Sequence, residues 1–121
     1  MRSRLLAIAA GLTLAAATQV VLAAPASAAC GHDTHPDLYS GGGIYFQENG
    51  TYIRTGPHEG CTALGIGYAS EGIDVHCVVY SEHTNWQVWF FVRDLDDGTA
   101  GWARRNDLRI PNTVTVPFCV Q

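Results

Sequence analysis

The chain has 121 residues, with seven arginines, 11 acidic residues, no lysine and a formal charge of −4. That length allows one small domain and excludes two of ordinary size. The acidity excludes a protein built to grip nucleic acid or anionic lipid, because the sequence-independent part of such binding comes from clustered cations.

Residues 1–28 carry the three parts of a secretory signal: Arg2 and Arg4 in front, an apolar run from Leu5 to Leu22, and Ala26-Ser27-Ala28 before the expected cut. Thr18-Gln19 interrupts the apolar run and Pro25 follows it, which argues against a membrane anchor. The expectation is a secreted, extracellular protein without membrane insertion. Cleavage after Ala28 leaves 93 residues, and the five remaining arginines face 11 acids for a formal −6. A chain of that size buries only about 60–65% of its unfolded surface and needs staples.

Four cysteines can supply them, and four allow three pairings. Cys61 and Cys77 flank one local stretch, while Cys30 and Cys119 stand near the two ends of the mature chain. The expected pairing is therefore Cys61–Cys77 with Cys30–Cys119, since small β-barrels commonly bring their termini together. The competing reading is a cysteine nucleophile with His76 or His58 as its base. An even cysteine count in an oxidising compartment speaks against that chemistry.

Residues 29–43 form a lead-in with neither strand nor helix period. His32, Asp33, His35 and Asp37 stand close together there, but two histidines do not make the four-ligand set of structural zinc. The segment is read as a polar loop, and no metal or cofactor is expected. From Ile44 onward, short strands alternate with turn signals, as in an all-β sandwich or barrel. Tyr45–Glu48 and Thr51–Arg54 flank Asn49-Gly50, the dipeptide suited to a two-residue hairpin turn. Asn49-Gly50-Thr51 is also a formal glycosylation sequon, which the turn explains without sugar. Gly56-Pro57 ends the strand, and a long irregular loop is expected through Cys61, Leu64 and Tyr68.

Ile73–Tyr80 alternates, with Ile73, Val75, Cys77 and Val79 expected on one apolar face and His76 on the mixed face. Ser81–Asn85 is polar loop. Trp86–Arg93 is apolar on both sides: Val88, Phe90 and Val92 on one, Trp89 and Phe91 on the other. One side should be core, and the second should be covered by a folded-back loop or be a ligand groove. Asp94–Gly98 reads as a solvated acidic turn in preference to a calcium loop. Thr99–Arg104 is the return strand, Asn106–Leu108 a helical turn, Arg109-Ile110 a last strand, and Val114, Val116 and Phe118 give the tail a strand-like alternation.

Taken in order, Tyr52-Ile53-Arg54-Thr55-Gly56-Pro57, Leu64-Gly65, Glu71–Val75, Trp89–Arg93 and Gly98–Ala103, closing on Leu108, resemble the bacterial SH3 domain family (SH3b, SH3 type 3) over about residues 50–110. Gly60-Cys61-Thr62 departs from the pattern, where the family often has polar residues and an aromatic. The absence of lysine, the leader and the cysteines resemble versions secreted by actinobacteria.

The resemblance implies a small, partly open SH3-like β-barrel of five to six strands over residues 44–121, here disulfide-stapled. It also implies binding of peptide ligands such as those of peptidoglycan. The function expected is a monomeric, non-enzymatic binding module at the cell envelope, extracellular or wall-associated, with a cell-wall peptide or protein as its partner. Tyr68, Tyr80, Trp86, Trp89 and Trp102 are the candidate ligand-binding residues, because rigid aromatic surface suits small peptide clefts. The alternatives are a secreted protein–protein interaction or enzyme-inhibitor protein and, more remotely, a small cell-wall hydrolase.

Overall fold

The structure, a computed structural model, describes residues 11, 30–81 and 86–120. Apart from Gly11, the expected signal peptide lies outside the described residues, as do Ala29 and residues 82–85 of the expected loop. Among the described residues no helix is long and apolar enough to cross a membrane. The fold is all-β, with strands β1 (Tyr45–Phe46), β2 (Thr51–Arg54), β3 (Ala63–Gly67), β4 (Ile73–Ser81), β5 (Gln87–Asp94), β6 (Ala100–Arg104) and β7 (Leu108–Arg109). A 3₁₀ turn, Arg105–Asp107, precedes β7. One antiparallel sheet runs in the order β3-β2-β6-β5-β4, and β1 pairs with β7 in a second.

The period-2 pattern of β5 is realised on both faces. Phe90 and Val92 join Ile44, Phe46, Ile53 and Leu108 in the main core, while Trp89 and Phe91 join Cys77 and Trp102 in a second buried cluster behind the sheet. The lead-in and the tail cover that second face. His35 sets its ring edge-on to Phe91 at 5.2 Å and to Trp102 at 5.1 Å, and Cys119 packs alongside. Of the two covers the sequence allowed, most of this face has folded-back chain.

Strand β4 departs from simple alternation. Its register with β5 shifts between Val75 and Cys77, so His76 is an extra residue in the strand. Such a bulge exchanges the two faces for everything beyond it. Ile73, Val75 and Val78 therefore share the main core, whereas Cys77 and Val79 turn to the second cluster. The expectation of Ile73, Val75, Cys77 and Val79 on one face is corrected accordingly.

The Asn49-Gly50 turn exists, but it does not close a hairpin between its flanking segments. Gly50 has φ +90° while Asn49 is not among the positive-φ residues, so the required type I′ geometry is not met. The Gly50 N–H donates to the Gly67 carbonyl, and Asn49 Oδ1 accepts from the Ala69 N–H. These bonds turn β2 onto β3, and β1 goes to β7 instead. The long loop expected after Pro57 accordingly contains a strand. Its glycine at position 67 faces the Phe46 ring so closely that a Cβ there would come within 2.2 Å of it. That glycine marks close packing inside a strand and not irregular backbone.

The disulfides join Cys30 to Cys61 and Cys77 to Cys119, with Cα separations of 5.4 and 4.8 Å. The expected Cys61–Cys77 and Cys30–Cys119 pairs are thus overturned. The physical reason lies in where the two ends run. The lead-in passes the loop after β2, with the His32 N–H bonded to the Thr55 carbonyl, while the tail runs beside β4, with the Val78 N–H bonded to the Pro117 carbonyl. Each end is stapled where it lies, and the bulge aims Cys77 at the tail. Two disulfides suit an oxidising, extracellular environment.

Candidate functional site

At the end of β4 the sheet meets both folded-back segments and leaves a cleft of about 680 Å³. Its walls are Asp33 to His35 from the lead-in, Tyr80 from the end of β4, Trp86 just before β5, and Cys119 and Val120 from the tail, with Trp102 beneath. Trp86 is 65% exposed and Tyr80 54%, and the Tyr80 ring lies 5.6 Å from that of Phe118, itself exposed. Trp86 adopts φ +63°, and its N–H donates to the Ser81 carbonyl at 2.9 Å. A bulky residue in the left-handed region is a strained one, held there by the turn it closes. A large indole is thereby held out in solvent, and its burial against a ligand is the interaction this site can offer.

The structure brings three of the five candidate residues together here. Tyr80 and Trp86 form the wall, and Trp102, only 4% exposed, is mostly core and shows an edge to the cleft. Trp89 is 1% exposed and lies against a different cleft, and Tyr68, though exposed, is not a wall of either. Sequence reasoning passed over His35, Phe118 and Val120. The alternation of Val116 and Phe118 was the available signal, but it did not show which strand the tail would lie beside.

The second cleft, about 540 Å³, runs from Gln47 to Arg54 and across to Arg104 and Asp107. It is polar, and its cations are already engaged. Arg104 pairs with Glu59 at 2.6 Å and Asp107 at 3.2 Å. The hydrogen bond to Asp107 is the largest cause raising the guanidinium's already high pKa. Arg54 donates to the Cys61 carbonyl and stacks over the Tyr52 ring. A catalytic thiolate, weighed above with His76 or His58, has no thiol to form from, since all four cysteines are in disulfides.

The acidic turn crowds carboxyl groups beside Glu71. Asp94 is fully buried, and its Oδ1 accepts from the Asp96 N–H. A hydrogen bond with Asp94 is the main cause raising Glu71 from 4.5 to about 7. With Asp94, Asp96 and Asp97 beside it, the charged form of Glu71 is disfavoured, so it holds its proton above the usual carboxylate range. Below pH 4.5 Glu71 is protonated folded or unfolded, and the neutral form's contribution is present in full. Between 4.5 and 7 only the folded chain keeps the proton, so stability falls as pH rises and the contribution is gone above 7. Thermal unfolding at pH 5 and pH 8 should show this decline, and Glu71→Gln, which retains a donor but cannot titrate, should reduce it. An unchanged decline in the variant would refute the assignment.

Comparison with protein-family models, with curated proteins and with solved structures returned no match.

Proposed function

We propose that this chain is a secreted SH3-like binding module, of the bacterial SH3 type its motifs resemble, that holds a peptide of the cell envelope against Tyr80 and Trp86. The observation that carries the reading is the aromatic cleft, in which Trp86 and Tyr80 stand exposed on a disulfide-stapled frame. Exposed aromatics in a concave site are what small peptide-binding modules use.

The chain path supports the SH3-like part of the reading. Three antiparallel strands, β4, β5 and β6, follow one another, then a 3₁₀ turn leads into β7, which returns to β1. A Tyr45–Gly72 bridge ties β1 to the approach of β4, so the two sheets wrap one core as a partly open barrel would. The surplus of acids disfavours anionic wall polymers such as teichoic acids and leaves peptide as the ligand class.

The test is co-sedimentation of the purified protein with peptidoglycan sacculi, together with tryptophan fluorescence titrated with muropeptides. Binding is expected, and Trp86→Ala or Tyr80→Ala should weaken it about 30-fold or more, as for an interface hot spot. Both side chains are exposed, so stability should change by no more than about 0.5 kcal/mol. Failure of the wild-type protein to sediment, with fluorescence unmoved, would sink the proposal. A single stoichiometric protein recovered from culture supernatant would instead favour the interaction or inhibitor reading.

A further inference from the structure

The bulge in β4 does more than exchange faces. It sets the His76 imidazole beside the carboxyl group of Asp74, with Nε2 3.3 Å from Oδ2. The lead-in then crosses β4, where the Leu38 N–H donates to the His76 carbonyl, and this delivers Asp37 to the same spot. One donor atom from each of Asp37, Asp74 and His76 lies within 4.8 Å of the others. We propose that these three residues bind a divalent transition-metal cation, with Zn²⁺ the best fit.

Several features of the geometry point the same way. Two ligands at about 2.0–2.1 Å from a tetrahedral zinc stand roughly 3.3–3.4 Å apart, the separation Asp74 and His76 already have. His76 Nδ1 lies 2.9 Å from the His35 carbonyl oxygen, which can only accept, so Nδ1 carries the hydrogen. In the neutral ring that leaves the Nε2 lone pair directed at the site, the arrangement by which metal-binding histidines are oriented. Asp37 accepts the Tyr39 N–H through Oδ1, which fixes the carboxyl group and leaves its second oxygen for the cation. Asp37 is exposed on the lead-in, so the small closure needed costs little packing.

One imidazole nitrogen and two carboxylate oxygens suit zinc, with water completing the set, better than a soft cation that wants thiolate. The other nearby group, His35 with Cys77 and Cys119, cannot compete because its sulfurs are joined to each other. Arg93 opposes the ion, since it donates to Asp74 Oδ2 at 3.2 Å, but its side chain is half exposed and can swing away.

The test is isothermal titration of the disulfide-intact, EDTA-treated protein with Zn²⁺ at pH 7, with the imidazole nitrogens followed by NMR. One saturable site per chain is expected, with the His76 Nε2 resonance moving. Asp37→Asn, a surface change that leaves the fold alone, and His76→Gln should each weaken binding at least about tenfold. Arg93→Ala should tighten it about fivefold, the range of an exposed charge pair. No binding, or binding unmoved by Asp37→Asn and His76→Gln, would overturn the proposal and assign any uptake to other histidines. The outcome is independent of what the aromatic cleft binds.

Discussion

Replacing Cys77 and Cys119 together by alanine should lower the free energy of unfolding by about 4 kcal/mol. The bond joins residues 42 apart, and on the chain-entropy model releasing a loop of that length costs about that much. It also sits inside the second cluster against Trp89, Phe91 and Trp102, so its loss opens packing as well. The Cys30–Cys61 bond, spanning 31 residues, has a similar entropic worth, but Cys30 is partly exposed and it staples only the lead-in to a loop. Graded reduction should therefore open Cys30–Cys61 first and free the lead-in while β4 stays tied to the tail. Peptide mapping without reductant reads the pairing directly, and recovery of a Cys61–Cys77 peptide would refute it. Denaturant titrations of the two double variants read the energies.

Phe91→Ala should cost about 3–5 kcal/mol, as expected for a large aromatic removed from a core. Phe91 is almost fully buried, and the rings of His35, His76 and Trp102 stand 5.2, 5.5 and 5.4 Å from it. Edge-on aromatic pairs add about 0.5–1.5 kcal/mol each to the area they bury. If this face were instead the open floor of a ligand groove, the change would stay within about 0.5 kcal/mol and only binding would suffer. Hydrogen exchange adds a local readout. The Leu38 N–H, bonded to the His76 carbonyl, should lose protection in the variant because His35 loses one of the two rings it rests on and keeps only Trp102.

Much of the candidate site was legible as residue types and little of it as a place. Trp86 and Tyr80 stood out as part of a surplus of rigid aromatics that suits a peptide cleft, and the structure puts both on one cleft wall. Trp89 and Trp102 carried the same signal and are buried, since a strand apolar on both faces does not reveal which face the termini will cover. Phe118 and His35 were invisible as partners because they reach the sheet from either end of the chain. The proposed metal group shows the same limit. Asp37 stands near other acids and histidines in sequence, yet its neighbours in space are Asp74 and His76.

The sequence by itself determined the all-β class, the strands β4, β5 and β6, and the turn at Asp94–Gly98, where Gly98 takes φ +79° and its N–H bonds to the Asp94 carbonyl. These depend on period-2 alternation and turn chemistry, which act between residues a few positions apart. Only the tertiary structure decided the cysteine pairing, the strand hidden at Ala63–Gly67, the partner of β1 and the face exchange at His76. Each of those turns on which distant segments pack together. One added residue in a strand is enough to aim Cys77 at the tail instead of at Cys61, and nothing local in Val75-His76-Cys77 says that it will.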